Sequence, residues 1–146
     1  MLINVYWKRN SDEFIIPTVV KTESGFWLDV EPVETGSLND RAAFISAIST
    51  AIERSGNIVP TPPRDRSLNV ALAHSNARSE RQFEEMYGQT SITQNPDGSQ
   101  SVQHYKRAPG GSGRVLDSDL SMTHSPGKSL DQVLDELLEF LKPNHE

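Results

Sequence analysis

Residues 26–64 read FWLDVEPVETGSLNDRAAFISAISTAIERSGNIVPTPPR, and the fold is decided here. Phe26 to Glu31 is aromatic and aliphatic, a run that suits the end of a strand. Pro32 to Ser37 is expected to be a loop that lifts the chain onto a sheet face. Leu38 to Ser55 has the spacing of an amphipathic helix. Phe44, Ile45, Ile48, Ala51 and Ile52 recur at three- and four-residue steps, while Arg41, Ser46, Thr50, Glu53 and Arg54 occupy the other faces. Ser37 or Asn39 can cap the first turn, and Asp40 sets negative charge at the positive end of the helix dipole. Gly56 ends the helix, and Gly56 to Arg64 must be a fixed, extended crossing because its prolines cannot continue one. Burying Phe44 and the three isoleucines contributes about 1.5–3 kcal/mol each, enough to dock the helix on a sheet.

Working outward, Leu2 to Trp7 and Phe14 to Thr22 read as two strands joined by the polar turn Lys8 to Glu13. Pro17 implies an edge or a bulge in the second, since proline has no amide to donate. With Phe26 to Glu31 they make an antiparallel meander. Leu68, Val70 and Leu72 alternate with Asn69, Ala71 and Ala73, a period of two that predicts another strand. Ser79 and Gln82 have capping-box spacing before a short helix, Glu80 to Tyr87, closed by Gly88. Its inner face would carry Phe83, Met86 and Tyr87. Thr90 and Ile92, then Val102, His104 and Tyr105, flank Asn95-Pro96-Asp97-Gly98, a turn between hairpin strands.

Residues 109–128 are expected to form a flexible loop region, rich in Gly, Ser and Asp, with Val115 and Leu116 as at most a brief strand. Ser129 and Gln132 repeat the capping box ahead of a last helix, Leu130 to Lys142. It buries Leu130, Val133, Leu134, Leu137, Leu138 and Leu141 and shows Asp131, Asp135, Glu136 and Glu139 outward. The elements do not alternate as a parallel sheet requires. The fold class is therefore α+β, an antiparallel sheet of about six strands with two long helices on one face and one short helix. The second face is left partly open, and residues 1–146 make one domain.

Composition narrows the function. Fourteen basic against 20 acidic side chains give a net charge of −6, which disfavours a nucleic-acid backbone as the main ligand. Cysteine is absent, so disulfides and thiolate chemistry are excluded. With no signal segment and no apolar run of membrane-spanning length, the expectation is a soluble, cytoplasmic protein without a membrane partner. His74, His104, His124 and His145 lack metal-ligand spacing, no Gly-x-Ser-x-Gly turn presents a nucleophile, and Gly110 to Gly113 lacks the lysine of a phosphate loop. Neither catalysis nor a metal or cofactor is expected.

Phe26 to Val33, the helix end Ala51-Ile52-Glu53-Arg54 and Gly56 to Arg64 together resemble the small immunity proteins of bacterial contact-dependent growth inhibition systems. The resemblance covers most of the chain and is specific over its second quarter. It implies a cytoplasmic protein without enzyme activity, monomeric or paired one-to-one with a cognate toxin domain, often a nuclease, which it neutralises. An acidic surface independently suits a partner whose groove attracts phosphate. The partner-binding residues expected are Glu80, Glu84, Glu85 and Tyr87 on the short helix, with Asp117 and Asp119 in the acidic loop. The competing reading is a ligand-binding or enzymatic α+β domain. It requires a cavity between sheet and helix with convergent polar groups, where the immunity reading expects a filled core.

Overall fold

The computed structural model describes residues 1–62, 69–108, 114–124 and 127–141, with only the backbone of residues 118–120. Its elements run β1 (Leu2–Lys8), β2 (Glu13–Thr22), β3 (Trp27–Ser37), α1 (Arg41–Arg54), β4 (Ile58–Val59), α2 (Val70–Ala73), α3 (Glu80–Met86), β5 (Tyr87–Gln94), β6 (Gln100–Arg107), β7 (Arg114–His124) and α4 (Leu130–Leu141). The described strands form one seven-stranded sheet, ordered β3-β2-β1-β5-β6-β7, with β4 beside β2. Every pairing is antiparallel except β4 with β2, so the α+β reading holds.

Alternation sorts the side chains. Ile3, Val5 and Trp7 of β1 point to one face with Phe14, Ile16, Ile92 and Val102, and both long helices close over them. From α1 come Phe44, Ala47, Ile48 and Ala51, from α4 Val133, Leu134, Leu137, Leu138 and Leu141. Phe14 and Phe44 meet edge to face at 5.5 Å, a favoured aromatic geometry. Arg41 reaches Asp135 through two bonds of 2.7 and 3.2 Å, joining the helices at the surface.

The meander differs from expectation in one strand. Val33, Glu34, Thr35, Gly36 and Ser37 pair with β2, so Pro32 to Ser37 is strand and not loop. The register slips between Pro17 and Thr18, and the Thr18 hydroxyl donates to the Pro32 carbonyl at 2.8 Å. Two residues that lack amides thus sit at one bulge, where no ladder bond is asked of them. The cap of α1 is Asp40, whose Oδ1 accepts from the Ala43 amide at 3.1 Å. Ser37 instead donates its hydroxyl to Asp12. Gly56, at φ 90°, turns the chain into β4, which lies parallel to β2 as an extended crossing.

Two further expectations are corrected. Val70–Ala73 is a helical turn, not a strand, because Asn69 caps it through the Leu72 amide at 3.0 Å and Ala71 is buried; residue 68 lies outside the described residues. Residues 114–124 are strand β7, paired along β6, and not a loop. The apolar and β-branched residues Val115, Leu116, Met122 and Thr123 sustain it, and the slip between Val102 and His104 absorbs the Ser- and Asp-rich middle. The glycine run, residues 109–113, lies outside the described residues. The last helix has its capping box in full: the Gln132 amide donates to Ser129 Oγ at 3.2 Å, and the Ser129 amide donates to Gln132 Oε1 at 2.9 Å.

The second face carries its own core. Tyr6, Ile15, Ala71, Phe83 and Tyr87 are buried there under α2 and α3. The face expected to stand partly open is covered at that end.

Candidate functional site

The short acidic helix forms where its cap dictates, Ser79 Oγ accepting from the Gln82 amide at 3.1 Å. Phe83 anchors it, stacked on Tyr87 at 4.9 Å and tilted on Tyr6 at 5.4 Å. Tyr87 is only 4% exposed. Its ring belongs to the second core, so the expected surface contact at Tyr87 is corrected. The glutamates do face outward, but cations interleave them. Glu85 meets Arg81 at 3.4 Å and Arg107 at 3.6 Å, and Glu80 accepts from Asn69 at 2.8 Å. Glu84 acts electrostatically on Arg114, whose guanidinium lies 5.9 Å above the Phe83 ring. Arg114 Nη1 and Nη2 are buried without a hydrogen-bond partner, and burial, then neighbouring Arg9 and Arg107, holds its pKa below the usual range. This surface is mixed in charge, not a bare negative patch.

Asp117 does not join it. Cross-strand pairing puts Asp117 opposite His104, His104 opposite Thr90, and Thr90 opposite Val5, all on the face of the long helices. Asp119 is in β7, with only its backbone described. The expected site residues therefore divide between two faces.

A cleft of about 360 Å³ lies between α4 and the β6–β7 edge, a cavity between sheet and helix of the kind the competing reading requires, where the immunity reading expected a filled core. Its walls are largely apolar, formed by Val102, Met122, Val133 and Leu137. His104 and Phe140 stack at 4.2 Å at one end. At the other, Glu136 holds Lys128 at 2.6 Å and lies 3.4 Å from His124. Burial pushes the His104 imidazole below its ordinary range, with Asp117 opposing. The Lys128 ammonium, hydrogen-bonded to Glu136, holds that carboxyl below its own. His124 pairs with Gln100, four residues from His104 on β6, so the two histidines are set about 13 Å apart along the backbone of the sheet. They are not a dyad, and no group of three metal-ligating side chains occurs among the described residues.

A third feature lies in the polar part of the second face. Asp29 accepts from Asn4 at 2.8 Å and from the Tyr6 hydroxyl at 2.5 Å, and Ser91 donates to Asn4 at 2.6 Å. Burial raises the Asp29 pKa against these bonds, and raises that of Tyr6. This net ties β3, β1 and β5 together. Among the described residues no helix is long and apolar enough to cross a membrane.

No known protein family matches the sequence, and no curated protein does. Solved structures do share the fold. A protein of unknown function from Neisseria meningitidis superposes with a TM-score of 0.62 at 13% identity, over 95% of this chain and 92% of its own. A chain of the CdiA-CT/CdiI toxin and immunity complex from Yersinia pseudotuberculosis superposes at 0.59 and 13% identity, over 97% of each. The chain is thus similar in fold, end to end, to a member of a toxin and immunity pair.

Proposed function

We propose that this chain is an immunity protein, which binds the toxin domain of a contact-dependent growth inhibition system and neutralises it by covering the active site. The observation that carries the reading is the shared fold with a chain of a toxin and immunity complex, over 97% of both chains. The sequence resemblance over residues 26–64 supports it independently. So does the net charge of −6, which favours encounter with a groove built for phosphate. The toxin is a nuclease on this reading, and the immunity protein works in the cytoplasm, making and breaking no bond itself.

On this reading the contact is the α3 face, with Glu84, Glu85 and the interleaved arginines. A mixed-charge surface fixes orientation better than a uniform one, since each misplaced pair is repulsive. Glu84→Lys with Glu85→Lys is expected to weaken binding of the toxin domain encoded beside this chain about tenfold or more, measured at a temperature where circular dichroism shows the variant folded, since the same changes also set lysines against Arg81, Arg107 and Arg114. Unchanged affinity would remove α3 from the interface.

One observation favours a second reading. The cleft under α4 is the cavity that a ligand-binding domain requires. A chain that protects no cell and binds no neighbouring toxin, yet takes up a small molecule there, belongs to that class.

A further inference from the structure

The cleft under α4 is lined by a histidine with one ring nitrogen engaged and the other left over. His104 is 6% exposed, and its Nδ1 lies 2.8 Å from Thr90 Oγ1. Thr90 Oγ1 also accepts from the Trp7 indole Nε1 at 3.2 Å. Both partners are buried on the core side of the sheet. A hydroxyl that receives the indole hydrogen needs an acceptor for its own, and among the described residues His104 Nδ1 is the one in reach. The relay therefore runs from Trp7 to Thr90 to His104. It fixes the neutral imidazole with its hydrogen on Nε2, the nitrogen left to the cleft that the ring lines. Nε2 has no hydrogen-bond partner among the described residues.

The surroundings define what would complete it. The cleft that the ring lines is walled by the side chains of Val102, Val133, Leu137 and Phe140, which offer water no partners, while Asp117 sits opposite His104 on the neighbouring strand. Lys128, Glu136 and His124 satisfy one another at the far end. With Asp117 on the neighbouring strand and apolar walls on the α4 side, this donor selects an apolar body with a single acceptor, as small-molecule pockets do. The flat His104–Phe140 stack at 4.2 Å favours a ring beside it.

We propose that this cleft is a binding site for a flat, ring-bearing apolar molecule with one carbonyl oxygen, which accepts a hydrogen bond from His104 Nε2. The site is separate from the α3 face and holds whether or not that face binds a toxin.

The test uses two bicyclic probes of one shape, 1-indanone and indane, which lacks the oxygen, titrated into the full chain by NMR. Indanone is expected to saturate, to shift the His104 and Phe140 side-chain resonances, and to bind about 3–10-fold more tightly than indane. His104→Phe, which keeps the stack, should make the two probes equal. Met122→Trp, at a wall residue that is 56% exposed and with a side chain that also suits a strand, should block both. Equal affinity of the two probes for the unaltered protein would overturn the proposal. So would no saturation by indanone, or binding that survives Met122→Trp.

Discussion

Gly88 lies directly across from Trp7 on neighbouring strands, and a Cβ built at residue 88 would stand 2.1 Å from Trp7 Cζ2. The indole is fixed in place. It is 6% exposed and holds Thr90 through its Nε1. The glycine that looks in the sequence like a helix stop is a seat for this ring, one residue into β5. Gly88→Ala is expected to cost about 3 kcal/mol, from overpacking that the rigid ring cannot relieve. Thermal denaturation should show Tm lowered by about 6–12 °C. An unchanged Tm would mean that the ring has room to move.

Ile48 is completely buried between α1 and the sheet. Ile48→Ala is expected to cost about 2–5 kcal/mol through the lost burial and the cavity left behind. Ile48→Asp, which buries a charge with no partner, should abolish the cooperative unfolding transition seen by circular dichroism.

The buried His104 and the half-buried Asp29 give stability opposite pH dependences. His104 has its folded pKa below the ordinary 6.5, so in the window beneath that value the unfolded chain binds more protons. Stability is then lost as pH falls through the window. Asp29 has its folded pKa above 3.8, so the folded chain holds the proton longer, and stability is lost as pH rises through the raised value. Urea midpoints between about pH 4 and pH 7 should show His104→Phe with a shallower loss on the acid side than the unaltered protein. Asp29→Asn should narrow its deficit, or exceed the unaltered protein, as pH rises. Parallel curves would contradict both assignments.

Arg114 places a guanidinium under cover with Nη1 and Nη2 unpaired. Replacing such a charge by an apolar side chain of similar length is commonly stabilising. Arg114→Met should raise Tm by about 2–4 °C, after allowance for the lost contact with the Phe83 ring. If the residue also serves the toxin contact, the same variant should bind the toxin more weakly. A lower Tm would show that the charge is compensated in the free protein.

What was legible in the chain follows physical lines. The two long helices could be read because their stripes are local: Phe44 and Ile48 point where the period puts them, and Ser129 and Gln132 meet as their spacing demands, whereas the cap of α1 fell to Asp40 and not to Ser37 or Asn39. Asn95 to Gly98 was equally plain as a turn. Residues 32–37 and 114–124 were not, since Pro, Gly, Ser and Asp argue locally for loop, while a neighbouring strand supplies the pairing that overrides them. Val70–Ala73 failed the other way, because alternation over so few residues says nothing of a cap by Asn69. The site was harder still. Which face a glutamate or aspartate joins depends on register, so Glu84 and Asp117 could not be separated before the strands were paired. Arg114 and the His104 cleft had no signal in composition at all, since each exists only through what long-range packing brings beside it.

On the proposed reading this chain binds a toxin domain encoded beside it, and calorimetry with the purified domain from the neighbouring gene tests that most directly. A one-to-one complex with Kd of about 10 nM or tighter, together with loss of the toxin's activity at equal concentration, is the result expected. No heat of binding, with the toxin fully active in the presence of excess protein, would contradict it.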